Sequence, residues 1–162
     1  MSMQSEEFFD NQEKQDYVTV YVGDQLFGIP VLQVHDILRT QFITRVPLSP
    51  IEIGGSLNLR GRIVTAIDMR RRLGLPIEPE VEGVTPRKLM NVVVESKNEL
   101  YSLLVDRVGE VLSLPESKYE KNPPTLDEKW KEIASGIYRL DGVLLIVMNV
   151  KAILDFSKKL VA

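Results

Sequence analysis

The chain of 162 residues has no cysteine and a single histidine, His35. The first absence excludes disulfides, thiolate metal centres and a cysteine nucleophile, and it suits a reducing cytoplasm, the expected location. The second leaves any metal site dependent on His35 plus carboxylates. No such cluster surrounds it in the sequence, so His35 reads as a polar residue on a strand. Ser49, Ser56, Ser96, Ser102, Ser113 and Ser135 all lack a Gly-x-Ser-x-Gly setting, and only His35 is available to activate any of them. Gly54-Gly55 and Gly61 precede no long helix, which excludes a phosphate loop or dinucleotide fingerprint. Aromatic residues make up 7%, and only Phe42 lies between Asp36 and Arg72, so that arginine-rich stretch lacks stacking platforms for nucleic-acid bases. The longest apolar run, Val143–Met148, is far short of a membrane span, and the polar, acidic start is not that of a secretory leader. A net charge of −3 is too small for a dedicated polyanion binder. No enzyme, metal or cofactor is expected, and no direct membrane insertion.

What is present is β-structure in short pieces. Tyr17–Val22 alternates Val18, Val20 and Val22 with Tyr17, Thr19 and Tyr21, the period of a strand. Gly23-Asp24 predicts a turn into a second strand over Gln25–Ile29. Val31, Val34 and Ile37-Leu38 have helical spacing, so the next segment fits both a helical reading and a helical turn leading into a short strand near Gln33–Leu38. Phe42–Val46 is short and β-like. Ile53–Leu59 and Ile63–Met69 flank a turn at Arg60-Gly61, followed by one helical turn at Arg70–Leu73. The acidic, proline-punctuated stretch 76–86 reads as an exposed connection. Leu89–Glu95 and Leu100–Val105 form a predicted hairpin. Val108–Leu114 is a further strand, Asn122-Pro123-Pro124 opens an irregular loop, and Ile133–Leu140 pairs with Val143–Met148 across Asp141-Gly142. Asn149–Leu160 has helical spacing with Asn149 as N-cap. About ten short strands and one terminal helix predict an all-β domain, either a sandwich or small barrels. Residues 1–15, acidic and without periodicity, form a flexible tail before a single domain over 16–160.

Charge is unevenly placed. Residues 1–16 carry five acids against Lys14, whereas residues 36–72 carry seven arginines, no lysine and three acids. Arginine suits partly buried ion pairs and interfaces. Arg60, set just before Gly61, reads as a displayed guanidinium serving either a partner or a structural ion pair. Arg70-Arg71-Arg72 reads as a solvated run or a protein interface; a nucleic-acid face over Arg39–Arg72 is the weaker alternative. Asp68, Asp106 and Asp141 each end an apolar strand and are expected to cap turns. Trp130 is expected to pack beneath the Asn122–Pro124 loop or, alternatively, to anchor an interface.

Taken in order, the segments Phe27-Gly28-Ile29-Pro30-Val31, Val34-His35-Asp36-Ile37, Ile43-Thr44-Arg45-Val46-Pro47, Gly55 with Asn58-Leu59-Arg60-Gly61, Ile67-Asp68-Met69-Arg70, Leu104–Leu112 and Leu145–Leu154 resemble the CheW family of coupling proteins in bacterial chemotaxis. The resemblance implies two small five-stranded SH3-like barrels sharing a hydrophobic core, with a C-terminal helix. The first barrel is expected over roughly 16–72 plus 149–160 and the second over 73–148. It also implies a non-enzymatic adaptor that links the cytoplasmic tip of chemoreceptors to the regulatory domain of the histidine kinase CheA, recruited to membrane receptor arrays. A CheW-like scaffold in another kinase pathway is the alternative. The receptor-binding positions carried over are Val34, Asp36, Ile37, Gly55, Asn58, Arg60 and Val111, and the kinase-binding positions are Met90 and Val92. The family usually has Glu at the position of Asp36, often Pro at that of Thr65 and Gly at that of Ser102, and small residues where Arg107 stands.

Overall fold

A computed structural model describes residues 13–39, 43–44, 47–77, 82–83 and 88–155. Ten strands form two five-stranded sheets. The first sheet contains β1 (Lys14–Val22), β2 (Gln25–Pro30), β8 (Arg107–Pro115), β9 (Ala134–Leu140) and β10 (Val143–Met148), ordered β8-β1-β2-β10-β9. The second contains β3 (Val34–Leu38), β4 (Ile53–Leu59), β5 (Arg62–Asp68), β6 (Met90–Ser96) and β7 (Glu99–Val105), ordered β3-β6-β7-β5-β4. Three short helices follow strands or precede them: α1 (Met69–Leu73), α2 (Glu128–Ile133) and α3 (Val150–Ile153).

Strand alternation sorts the apolar side chains into three layers. Between the sheets lies the main core, which draws Val18, Val20, Val22, Phe27, Ile29, Ile146 and Met148 from the first sheet. From the second sheet it draws Ile67, Val92, Val94, Leu103 and Val105. The opposite face of the first sheet buries Tyr17, Leu26, Tyr138, Leu145 and Val147. The opposite face of the second buries Leu57, Val64, Ala66, Val93, Leu100 and Leu104. Successive residues of one strand therefore serve different cores, as Val92, Val93 and Val94 show, because side chains alternate across a sheet. Gly28 is glycine for a packing reason: a Cβ there would sit 2.9 Å from Leu145 Cδ2 and 3.3 Å from Tyr17 Cβ.

This is the expected all-β class with two five-stranded subdomains. The sequential division at residue 72 is nevertheless not the one the sheets take. The second sheet is one continuous stretch, Val34–Val105, and the first is assembled from both chain ends. Hairpin signals reveal antiparallel neighbours only. What joins the two chain ends in the first sheet is the antiparallel pairing of β1 with β8 and the parallel pairing of β2 with β10, both between distant segments and without a local signature. Of the expected tail, Lys14 and Gln15 belong to β1, and residues 1–12 lie outside those described.

Locally the reading holds with two corrections. The 3₁₀ turn Val31–Gln33 leads into β3, the second of the two readings of that segment. The helix Glu128–Ile133 lies in a stretch read as loop. It is short and charged, and its signal was the N-cap Asp127, which accepts from the Lys129 N–H at 2.8 Å. The terminal helix spans Val150–Ile153 behind its Asn149 cap, and residues 156–160 of the expected helix lie outside those described. Of Phe42–Val46, Thr44 forms a bridge with Ser56 at the edge of β4; Phe42, Arg45 and Val46 lie outside the described residues.

Candidate functional site

The turn between β4 and β5 is built to hold Arg60 outward. Arg60 and Gly61 both have positive φ, 51° and 83°, the geometry of the mirror-image two-residue turns that match strand twist. Leu59 pairs with Arg62 to close the hairpin, and Asn58 Oδ1 accepts from the Gly61 N–H at 3.0 Å. Asn58 is thus a brace of the turn, and Arg60 occupies a backbone region that asparagine or glycine fills more easily.

Across from the turn stands Asp36 on β3, at the edge of the same sheet. Its Oδ1 accepts from the Ile37 N–H at 2.8 Å, and its Oδ2 lies 3.4 Å from Arg60 Nη2. The Arg60 side chain is 78% exposed and that of Asp36 28%. A long ion pair this open contributes about 0–1 kcal/mol, so it orients the guanidinium more than it stabilises the fold. Most of the guanidinium's donors remain available to a carboxylate or carbonyl from outside.

The apolar members surround this pair unequally. Val34 packs partly against the main core, while Ile37 is 38% exposed beside Asp36. Val111, 60% exposed, lies on β8, the outer strand of the other sheet, opposite Val18. Gly55 offers no side chain. It has φ 143°, sits at a register shift in β4, and a Cβ there would collide with the Thr44 carbonyl. It lets residues 43–44 close over the edge of β4, where Thr44 and Ser56 exchange backbone hydrogen bonds of 2.8 and 2.7 Å. Of the carried-over set, the structure therefore gathers Val34, Asp36, Ile37, Asn58 and Arg60 at one lip, and leaves Gly55 beneath Thr44 and Val111 on the other sheet. Val92 is fully buried in the main core and presents nothing to a partner, because β6 is covered on both faces; Met90 is half-buried. Beside the lip, Leu32, Gln33, Val34, His35, Glu95, Lys97 and Asn98 line an open hollow of ≈ 390 Å³. It is unlike the enclosed, largely apolar pocket that holds a small molecule. His35 Nδ1 there lies 3.9 Å from Glu95 Oε2.

The arginine triplet turns inward, which corrects the reading of a solvated run or an interface. Arg70 pairs with Asp106: Nη2 lies 3.0 Å from Oδ2 and Nε donates at 3.0 and 3.2 Å. Arg71 Nε lies 3.5 Å from Asp68, whose carboxylate also caps α1 by accepting from the Arg70 and Arg71 N–H groups. Arg72, only 5% exposed, donates to the Ile153 and Ala152 carbonyls at the end of α3, both at 3.1 Å. A nucleic-acid face loses its three central cations by this arrangement. Trp130 likewise packs inside, though against Phe27 (ring centroids 5.7 Å apart) with Nε1–H donating to the Leu73 carbonyl.

Among titratable groups, burial and the Tyr138 hydroxyl push the Tyr17 phenol up, which keeps it neutral. The Glu116 carboxyl is raised by a hydrogen bond with Glu13 and by its charge. Neither lies at the Arg60 lip. Among the described residues no three metal-binding side chains cluster, and no helix is long and apolar enough to cross a membrane.

A rigid turn presenting one guanidinium beside an apolar strand edge is the equipment of a binding scaffold. The chain belongs to the CheW-like domain family, whose model matches residues 16–158, and it is accordingly an adaptor and not an enzyme. It is 29% identical over 138 residues to the chemotaxis protein CheW of Bacillus subtilis, covering 85% of each chain. It is 26% identical over 145 residues to that of Helicobacter pylori, covering 90% of this chain and 84% of the relative. The crystal structure of the scaffolding protein TtCheW from Thermoanaerobacter tengcongensis superposes with a TM-score of 0.73 at 27% identity, covering 89% and 92% of the two chains.

Proposed function

We propose that this adaptor couples the cytoplasmic tip of a chemoreceptor to the regulatory domain of the histidine kinase CheA, in the cytoplasm at membrane receptor arrays. The observation that carries the receptor half is the Asp36–Arg60 lip with Ile37 exposed beside it. A receptor tip is an antiparallel helical hairpin, and an amphipathic helix docks by laying apolar residues into a groove while rim charges set its register. Val34 and Ile37 supply the apolar contact, and Val111 the far side of the groove on the first sheet. Arg60 reads an acidic or carbonyl group on the helix. The kinase half is assigned to the second sheet, where Met90 is half-buried; Val92 shapes that surface from within. Substituting Glu for Arg60 tests the receptor half. Capture of the protein by a receptor-tip fragment should fall at least tenfold, and far-UV circular dichroism should be unchanged. Undiminished capture by the folded variant would remove Arg60 from the interface.

A further inference from the structure

The chain passes between the sheets twice, and the second crossing is a single residue. β7 ends at Val105 in the second sheet and β8 begins at Arg107 in the first. Asp106 lies between them, and its side chain is only 6% exposed. Its backbone N–H donates to the Tyr21 carbonyl at 2.9 Å, and its carboxylate accepts from the Gly23 N–H, both in the β1–β2 hairpin of the first sheet. The same carboxylate takes the fork of Arg70 from α1, the helix that continues β5 of the second sheet. Arg70 Nη1 donates in turn to the Pro76 carbonyl at 3.0 Å.

We infer that Arg70 and Asp106 are positioning residues that fix the angle between the two sheets, and hence the placement of Val111 relative to the Asp36–Arg60 lip. The reason is a difference in directionality. The main core holds the sheets together, but apolar burial is proportional to area and nearly indifferent to a few degrees of rotation. A planar guanidinium on a carboxylate is specific in angle and distance, and sheltered from water it keeps that specificity. Arg72 adds a second strut, joining α1 to the carbonyls at the end of α3, which follows β10 of the first sheet. Two of the three consecutive arginines thus brace one sheet against the other, while Arg60, ten residues before Arg70, is left outward.

This inference rests on the receptor reading only for its consequence, so the experiment separates the two. The absence of native cysteine allows spin labels at introduced cysteines alone: Ile63→Cys with Asp141→Cys spans the sheets, and Ser113→Cys with Asp141→Cys stays within the first. In Asp106→Asn the inter-sheet distance distribution should broaden about twofold and the intra-sheet one should keep its width. Arg70→Lys, which retains the charge without the fork, should broaden it less. A core variant of matched Tm loss, such as Ile137→Val, should broaden neither. Affinity for a receptor-tip hairpin should fall about tenfold in Asp106→Asn and remain near the parent value in the core variant. An unchanged inter-sheet distribution in both Asp106→Asn and Arg70→Lys, or equal broadening in the core variant, overturns the inference. Failure of the parent chain to bind the hairpin would sink the receptor reading and leave the label distances to decide the positioning role.

Discussion

Two arginine sites ten residues apart in sequence meet opposite fates. At the β4–β5 turn, Arg60 is held out by a backbone conformation that costs a non-glycine residue something, and among the described residues its ion pair is with Asp36, at 3.4 Å. At α1, Arg70 and Arg72 are folded inward onto Asp106 and the end of α3. The chemistry of the side chain is the same in both places. The surroundings differ: the turn projects beyond the sheet edge, whereas α1 lies in the seam where both sheets and all three helices meet. The lesson is that arginine count measures a capacity for pairing, and topology decides whether that capacity is used inside or offered outside.

The sharpest way to break the comparison is Arg70→Met. It removes the guanidinium from the sheltered Asp106 carboxylate, and the loss should be about 3 kcal/mol, read as a lowered urea midpoint with unchanged slope. Arg60→Glu is the complementary change. It replaces an exposed attraction to Asp36 with a repulsion, so stability should fall by no more than about 1 kcal/mol while receptor capture collapses. Equal stability losses in the two variants would erase the distinction between a brace and a contact. Smaller still is Arg60→Asn, which suits the positive φ of the turn and should raise stability by about 0.5 kcal/mol in thermal unfolding while abolishing the same capture.

The smallest effect lies away from both sites, at the Glu13–Glu116 pair where β1 meets the end of β8. There the Glu116 N–H donates to the Glu13 carbonyl at 2.9 Å, and the Glu116 carboxyl is raised above the ordinary glutamate value. A carboxyl raised on folding contributes stability that is present at low pH, where the proton is shared, and lost as pH rises through the raised value. Glu116→Gln should therefore flatten the fall in Tm as pH rises above the ordinary glutamate value of about 4, without altering Tm at pH 4. An identical pH profile in the two proteins would count against the pair.

How much of this could be read beforehand differs from residue to residue. The turn at Arg60 was visible because its determinants are local: Asn58 and Gly61 lie within three residues, and alternating apolar strands bracket them. The pairing of Arg60 with Asp36 was weighed as one of two readings, since a displayed arginine and an ion-paired one have the same sequence. Arg70 and Arg72 run against the local reading for a physical reason. Their partners, Asp106, Ala152 and Ile153, lie 36 to 81 positions away, and a run of three like charges normally signals solvent. Val92 enters the kinase-binding set only through the family resemblance, and no local signal shows that both faces of its strand are covered by apolar layers. The helix at Glu128–Ile133 was missed because it is barely longer than one turn and its inner side is defined by Phe27 and Leu73, not by its own periodicity.

By itself the sequence determined the number of strands, the position of the rigid turns and the absence of cysteine. These follow from the dihedral preferences and two-residue periodicity of neighbouring residues. Only the tertiary structure decided which strands share a sheet, which arginines are struts and which one is offered, and that Asp106 joins the two halves. Those outcomes depend on parallel pairings and on contacts between distant positions, where closure of long loops and the desolvation of charges settle the choice and no local preference reports it.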